Sequence, residues 1–287
     1  MLNLVHLKVL AAVARHGSVT KAARELQYSQ PSVSHHLSRL EAATGTKLVQ
    51  RVGRGIRLTP EGQLLASRAT EIVGRVDAAT NELAAHVGLQ AGRVRLAANA
   101  SAMSTIAPRA AATLAEGHPG LELSLVDRHP VEALQALRHG EVDVALIYRH
   151  ADDPAEEEGF RLVHVADDAI YLVSRRPDDS IANHRDSAWI GGCERCRVEL
   201  IAVCRQEGFI PRVASASDDI VVVQALVAAG VGVATLPGLS LQAHRRPDVH
   251  TAELVNYPRQ IYAVTYGEPP DPPATLALIQ AIRDSVR

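Results

Sequence analysis

Cys193 and Cys196 stand in a Cys-x-x-Cys spacing with Arg195 and Arg197 beside them and Cys204 further along. Two thiols so placed at the start of a helix, next to positive charge, can form a redox-active dithiol or hold half of a zinc site. With three cysteines in all, there is no second pair, and no His cluster at ligand spacing completes a metal site. A thioredoxin-like enzyme would carry the motif in its own fold, near the start of a βαβ unit. Uncharged, partly buried thiols are therefore the preferred reading, and a redox or metal response through Cys193 and Cys196 is the alternative. No Gly-rich phosphate loop, nucleophile elbow or zinc-protease signature is present, so neither an enzymatic reaction nor a cofactor or metal is expected.

A second polar set lies near the amino terminus: Gln30, Ser32, Ser34, His35 and Arg39. These side chains can meet base edges or phosphates if one helix presents them together. The flanking residues supply that helix. Asn3 caps a first helix with Leu4, Leu7, Leu10, Val13 and Ala14 at helical spacing, and Gly17 ends it. Ser18 caps a short second helix, Thr20 to Gln27, whose Ala22, Ala23 and Leu26 allow another helix to approach closely. Ser29 caps a third, in which Val33, Leu37 and Leu40 bury one face and leave the polar set outward. The pattern is a helix-turn-helix with the third helix as the reading element. KLVQRVGRGIRLT then alternates as two short strands around Gly53 and Gly55, a wing carrying Arg51, Arg54 and Arg57 toward phosphates or a minor groove.

Charge agrees with this placement. Residues 1–60 hold a net +7 and the remainder −9, although the whole chain sums to −2. A basic module on an acidic body is expected when one end meets a polyanion.

The run KAARELQYSQPSVSHHLSRLEAATGTKLVQR, followed by GIRLTPEG, resembles the LysR-type transcriptional regulators. Ala22 and Ala23, Ser29-Gln30-Pro31, Val33-Ser34, Leu40-Glu41, Gly45 and Leu58-Thr59-Pro60 with Gly62 carry the resemblance. His35 and His36 depart from it, since the family more often has an arginine or other polar residue and then glutamine there, so base preference at that point is open. The resemblance implies a sequence-specific DNA-binding regulator with double-stranded DNA as partner, contacted by Thr20, Gln30, Ser32, Ser34, His35, Arg39, Arg51, Arg54 and Arg57.

Thr59 and Pro60 begin a long helix running to about His86, with Gly88 as its stop. Leu65, Ala69, Ile72, Val76, Ala79 and Leu83 make a seam for another helix. The resemblance implies that the partner helix comes from a second copy, giving a homodimer on an interrupted inverted repeat; many family members go on to tetramers.

From Arg93 onward, strands and helices alternate, as in βαβ units with a parallel sheet. The expected fold class is α/β: a winged helix-turn-helix at 1–58, a linker or dimerisation helix at 59–88, and a two-lobed effector domain at 89–287 resembling periplasmic solute-binding proteins. Lobe I takes 89–160 and 265–287, and lobe II takes 161–264. Ligands of such proteins sit between the lobes, at strand ends and helix N-termini. By that logic and by similarity to family positions, effector contacts fall to Ser101 and Met103, Asp127 and Arg128, Tyr148 and Arg149, Gly192 and Cys193, and Ser217 and Asp218. Ser101, Ser217 and Asp218 have helix capping as an alternative role. Arg128 and Arg149 would suit an anionic effector, or else are solvated surface arginines.

Composition bounds the rest. With 47% hydrophobic and 22% charged residues, 287 residues fold into two or three modules. Aromatics at 3% argue against stacked platforms for single-stranded nucleic acid. Ile220 to Leu239 carries no charge, but Gly230, Gly232 and Pro237 break it, so no membrane span is expected. The start lacks a basic n-region and a small-residue cleavage site, which points to the cytoplasm. A solute-binding protein would explain the two lobes but not the basic module. An oxidoreductase would use the Cys-x-x-Cys but leave the first 88 residues idle.

Overall fold

The computed structural model describes residues 2–52, 55–86, 92–150, 153, 159–255 and 257–286. At the amino terminus α1 (Leu4–His16), α2 (Val19–Glu25) and α3 (Gln30–Thr44) precede a hairpin of β1 (Val49–Val52) and β2 (Gly55–Leu58). The caps explain the boundaries. Asn3 accepts from Val5 N at 2.8 Å, Ser18 from Lys21 N at 3.4 Å and Ser29 from Ser32 N at 3.3 Å. Gly17 and Gly45 end α1 and α3 at φ +58° and +70°, a left-handed turn that glycine enters without strain. Leu7, Leu10, Val13, Ala22, Ala23, Val33, Leu37 and Leu40 form one buried cluster. Ala14, expected on that stripe, is exposed, and Val9, Ala11 and Ala12 are buried in its place, because α4 covers a second face of α1.

That helix, α4 (Pro60–His86), is entered through Thr59, whose hydroxyl donates to Lys47 O at 2.7 Å and accepts from Gly62 N at 3.0 Å. A Cβ on Gly62 would meet Leu48 O at 2.0 Å, so α4 lies directly on the backbone at the base of the wing. Gly62→Ala is expected to destabilise this module by about 3 kcal/mol, the cost of forcing two backbones apart, and urea unfolding checks it. The seam of α4 divides. Leu65 and Ala69 pack into the amino-terminal core, whereas Ile72, Val76 and Leu83 remain exposed. Gly88, expected to stop the helix, lies outside the described residues. Midway along α4, Gly74 meets the turn at His139 and Gly140, where a Cβ would lie 1.9 Å from His139 O.

The body begins with β3 (Gly92–Ala98), α5 (Ala100–Met103), α6 (Ile106–Gly117), β4 (Leu121–Asp127), α7 (Pro130–Arg138), β5 (Val144–His150) and β6 (Phe160–Asp168). It continues with β7 (Ile170–Ser174), β8 (Ala188–Gly191), α8 (Glu194–Gln206), β9 (Arg212–Ala216), α9 (Ile220–Ala228) and β10 (Ala234–Pro237). Last come α10 (Gly238–Ala243), β11 (His250–Glu253), β12 (Arg259–Tyr266) and α11 (Pro273–Asp284). One sheet has the order β4-β3-β5-β12-β6, with β3 parallel to β4 and β5, and β12 antiparallel to β5 and β6. The other lobe holds β10-β7-β11, antiparallel throughout, and the parallel pair β8-β9. Both lobes are therefore less uniformly parallel than the βαβ pattern predicts.

The lobe boundary moves. The sequence places 161–264 in lobe II, but β6 and most of β12 belong to the five-stranded sheet of lobe I. RLVHVADDAIYLVS looks continuous, yet it breaks at Ala169 into β6 and β7, which join different sheets. The crossings accordingly follow Asp168 and precede Arg259. The crossing expected at residue 160 does not occur there, because β6 keeps the chain within the sheet of lobe I. At the true crossing Asp168 and Arg259 form a buried ion pair at 2.7 Å, and Asp168 also accepts from Leu239 N at 2.9 Å. No helix among the described residues is long and apolar enough to cross a membrane.

Candidate nucleic-acid interface and inter-lobe cleft

On α3 the hydrophobic side is fully used, with Val33, Leu37 and Leu40 buried. Gln30, Ser34, His35 and Arg39 are exposed and Ser32 is half-buried. Thr20, at the start of α2, is also exposed. A groove between α2, α3 and the wing is lined by Thr20, Gln30, Ser34, Ser38 and, from the wing, Gln50. Ser38 and Gln50 are not singled out by the sequence; the helical spacing of Ser38 from Ser34 is a signal for the first, and Gln50 follows only from its cross-strand pairing with Arg57. Arg57 is exposed on β2 opposite Gln50. Arg54 and the side chain of Arg51 lie outside the described residues.

His35 and His36 differ in setting. His35 is exposed, whereas His36 is half-buried with its ring between those of His6 at 5.2 Å and Tyr28 at 5.6 Å. Burial, followed by repulsion from His36, Arg39 and His35, lowers the His6 pKa. The second histidine of the pair is thus mainly a packing residue, and only the first faces outward.

Glu41 fixes the wing to α3. Its carboxylate accepts from Leu48 N at 3.0 Å, Val49 N at 3.3 Å and Lys47 Nζ at 2.8 Å. Burial alone would raise its pKa, but these hydrogen bonds and the Lys47 charge outweigh burial and hold it below the usual range. A depressed carboxyl pKa stabilises the fold above its unfolded-state value and loses that contribution as pH falls through the folded-state value. The wing is therefore expected to loosen in acid below the ordinary glutamate range. Glu41→Gln should make the thermal midpoint of this module less sensitive to pH there.

In the body a cavity of about 110 Å³ opens between the lobes. Its walls include Asn99, Ser101, Tyr148 and Arg259 from lobe I and Gly192, Cys193, Cys196, Ser217 and Asp218 from lobe II. Of the expected effector residues, Ser101, Tyr148, Gly192, Cys193, Ser217 and Asp218 line it together. Met103, Asp127, Arg128 and Arg149 do not. The reasons are geometric. Asp127 and Arg128 stop short of the cleft wall, which the chain reaches only at the next residue, His129, and Arg128 donates to Asp127 O. Met103 packs into the lobe I core. Tyr148 and Arg149 are adjacent on β5 and point to opposite faces of the sheet, so Tyr148 alone faces the cavity.

Helix capping takes none of the three residues for which it was the alternative. Asn99 occupies the N-cap position of α5, and Asp219 caps α9 by accepting from Val221 N at 2.8 Å and Val222 N at 3.3 Å. Ser101 instead accepts from Asn99 Nδ2 at 2.8 Å and Arg259 Nη2 at 2.7 Å. Arg259, which the sequence does not single out, reaches the cleft from β12. Its guanidinium lies 4.4 Å from the Tyr148 ring centroid, and its charge is matched by Asp168. The Tyr148 hydroxyl and Asn99 Oδ1 are buried at this cavity without a hydrogen-bond partner. Burial, together with the nearby Glu199 carboxylate, raises the Tyr148 pKa and keeps the phenol protonated.

Helix α8 carries the Cys-x-x-Cys at its N-terminus. Cys193 is the N-cap, with its sulfur accepting from Cys196 N at 3.4 Å. The two sulfurs are 3.2 Å apart. Cys204 is buried in the lobe II core, where burial pushes its thiol up to about 12. No group of three or more His, Cys, Asp or Glu able to hold a metal occurs among the described residues.

Residues 88–287 match the LysR substrate binding domain, and residues 4–63 match the bacterial regulatory helix-turn-helix protein, lysR family. The chain belongs to the LysR family. This LysR-type protein is a DNA-binding transcriptional regulator. It is 28% identical over 251 residues to the HTH-type transcriptional regulator GltR of Bacillus subtilis, covering 85% of this chain and 83% of that protein. A probable hydrogen peroxide-inducible genes activator of Mycobacterium xenopi is 34% identical over 171 residues, 60% of this chain and 88% of that one. In fold, the LysR-type chain resembles CbnR complexed with its target DNA at a TM-score of 0.68 and 23% identity, covering 99% of this chain and 100% of CbnR. A full-length OxyR variant from Pseudomonas aeruginosa gives 0.71 at 19% identity, covering 100% of this chain and 95% of that structure.

Proposed function

We propose that this regulator binds an interrupted inverted repeat as a homodimer and that a small molecule between the two lobes controls that binding. The observation that carries the effector reading is the pair of buried polar atoms, Tyr148 Oη and Asn99 Oδ1, left without partners at one small cavity. Buried polar groups are costly unless a partner satisfies them, so a bound molecule that donates to Asn99 and accepts from Tyr148 removes a standing penalty. In this arrangement of the lobes the cavity suits a small effector. An anionic effector is disfavoured: Asp168 already matches the Arg259 charge, and Arg128 and Arg149 do not line the cavity.

Dimerisation draws support from Ile72, Val76 and Leu83, which lie exposed along one stretch of α4. A twin helix covering them brings two α3 helices onto one duplex. Control then requires the effector to bind two lobe arrangements unequally.

Gel shifts with the protein's own upstream region, with and without small uncharged polar metabolites chosen by thermal shift, test this reading. A ligand present at about 100 times its Kd stabilises the body by about 2.7 kcal/mol, and Tyr148→Phe should abolish the shift while leaving operator binding intact. Operator binding that responds to no ligand, or a ligand response unchanged in Tyr148→Phe, would refute the cleft as the control point. A second reading is favoured by the 3.2 Å separation of the Cys193 and Cys196 sulfurs, which makes the thiols themselves responsive to oxidants.

A further inference from the structure

We propose that Cys193 is a hydroperoxide-reactive cysteine and that Cys196, one helical turn on, is its resolving thiol. The inference rests on the inter-lobe cleft being the sensing site and gives that site a covalent chemistry.

Four observations converge on the pair. The sulfurs are 3.2 Å apart, so a short closing movement of the first turn of α8 brings them to the roughly 2.05 Å of a disulfide. Both line the inter-lobe cavity, whose size admits a hydroperoxide. The unpartnered Tyr148 hydroxyl and Asn99 Oδ1 face the same space and can donate to and accept from a peroxide's two oxygens. The thiols are also asymmetric. A hydrogen bond from Cys196 lowers the Cys193 pKa, with burial opposing it and the Cys196 backbone N–H and His129 assisting, whereas Cys196 is raised by the same bond and by its own burial. The nucleophile and the proton-bearing partner are thereby distinguished. Cys204, deep in the lobe II core, takes no part.

The chemistry balances. The Cys193 thiolate attacks one oxygen of ROOH. An S–O bond forms and the O–O bond breaks, and the leaving alkoxide or hydroxide takes up the proton that Cys193 released, giving ROH. Sulfur is oxidised by two electrons and the peroxide is reduced by two. Cys196 sulfur then attacks the sulfenic sulfur. The S–S bond forms, the S–O bond breaks, and the departing hydroxyl leaves as water with the Cys196 proton.

Position gives this reaction a readout in the lobes. Arg195, between the two cysteines, pairs with Asp153 and Glu199, and its guanidinium lies 4.8 Å from the Tyr148 ring centroid. The first turn of α8 therefore ties lobe II to the end of β5. A disulfide that redraws this turn acts directly on that tie.

The full-length protein, reduced and then treated with one equivalent of hydrogen peroxide, decides the matter by thiol counting and peptide mass spectrometry. The wild type and Cys204→Ser should lose two thiols and yield the Cys193–Cys196 disulfide. Cys196→Ser should stop at a sulfenic acid on Cys193 that dimedone traps, and Cys193→Ser should react at least about tenfold more slowly. Circular dichroism confirms that each variant is folded. A Cys193 that reacts no faster than a free small-molecule thiol, or a disulfide made to Cys204, would overturn the proposal. The chemistry is read without DNA or effector. Failure here with an intact Tyr148-dependent ligand response therefore refutes the thiol pair alone, whereas loss of the ligand response with intact oxidation refutes the effector reading alone.

Discussion

Asp168→Ala is expected to destabilise the body by about 3 to 5 kcal/mol, the usual cost of removing one partner from a buried ion pair. The carboxylate and the Arg259 guanidinium are almost completely shielded from water, so the arginine left behind would be a buried, uncompensated charge. Leu239 N, at the start of α10, would lose its acceptor at the same time. Ser101 is a hydroxyl and can hold the guanidinium in place but cannot neutralise it. Replacing both partners with apolar residues of similar volume should recover most of the loss, because the remaining charge causes it. Urea unfolding of the single and double variants checks both statements. A single-variant loss below about 1 kcal/mol would mean that water reaches the pair and that its role at the crossing is minor.

Operator affinity should fall by about a thousandfold or more between roughly 50 and 200 mM salt, as counterions released from several phosphates are held back at higher concentration. The expectation follows from the net +7 of residues 1–60 and from the exposure of Arg39 on α3 and Arg57 on the wing. Arg57→Ala, on the wing, should weaken all sequences alike and flatten the salt slope by about one per site contacted. Gln30→Ala, in the groove, should leave the slope unchanged and relax sequence choice, at about 1 to 3 kcal/mol of discrimination. Fluorescence anisotropy over a salt series separates the two. An affinity indifferent to salt would contradict a phosphate-tracking role for this module.

How far these assignments could be read in advance differs between the two ends of the chain. In the amino-terminal module each local signal has one structural meaning: Ser29 before Gln30 is a cap, Gly45 is a left-handed stop, and Val33, Leu37 and Leu40 can point only one way on a helix. The cleft is assembled from strands distant in sequence, and its order depends on sheet pairing that no short window encodes. Asp127 and Arg128 look suitable because they stand at the end of a strand, but it is the next residue, His129, that reaches the cavity. Arg259 looks ordinary because nothing local shows that its partner is Asp168, ninety-one positions earlier. The break at Ala169 is invisible for a related reason: neither glycine nor proline interrupts RLVHVADDAIYLVS, and only the different neighbours of its two strands separate them.

The contact of Gly74 with His139 and Gly140 bears on how such regulators can be recombined. Helix α4 is shared property: its first half completes the core of the DNA-binding module through Leu65, Ala66 and Ala69, and its middle lies backbone to backbone against lobe I. A chimera spliced at residue 88, where the family's carboxy-terminal match begins, would graft a foreign helix onto His139 and Gly140, and any side chain larger than hydrogen at position 74 would collide there. Donor modules for this sensing body are therefore those with glycine at the equivalent place, or grafts whose splice falls inside α4 upstream of Gly74.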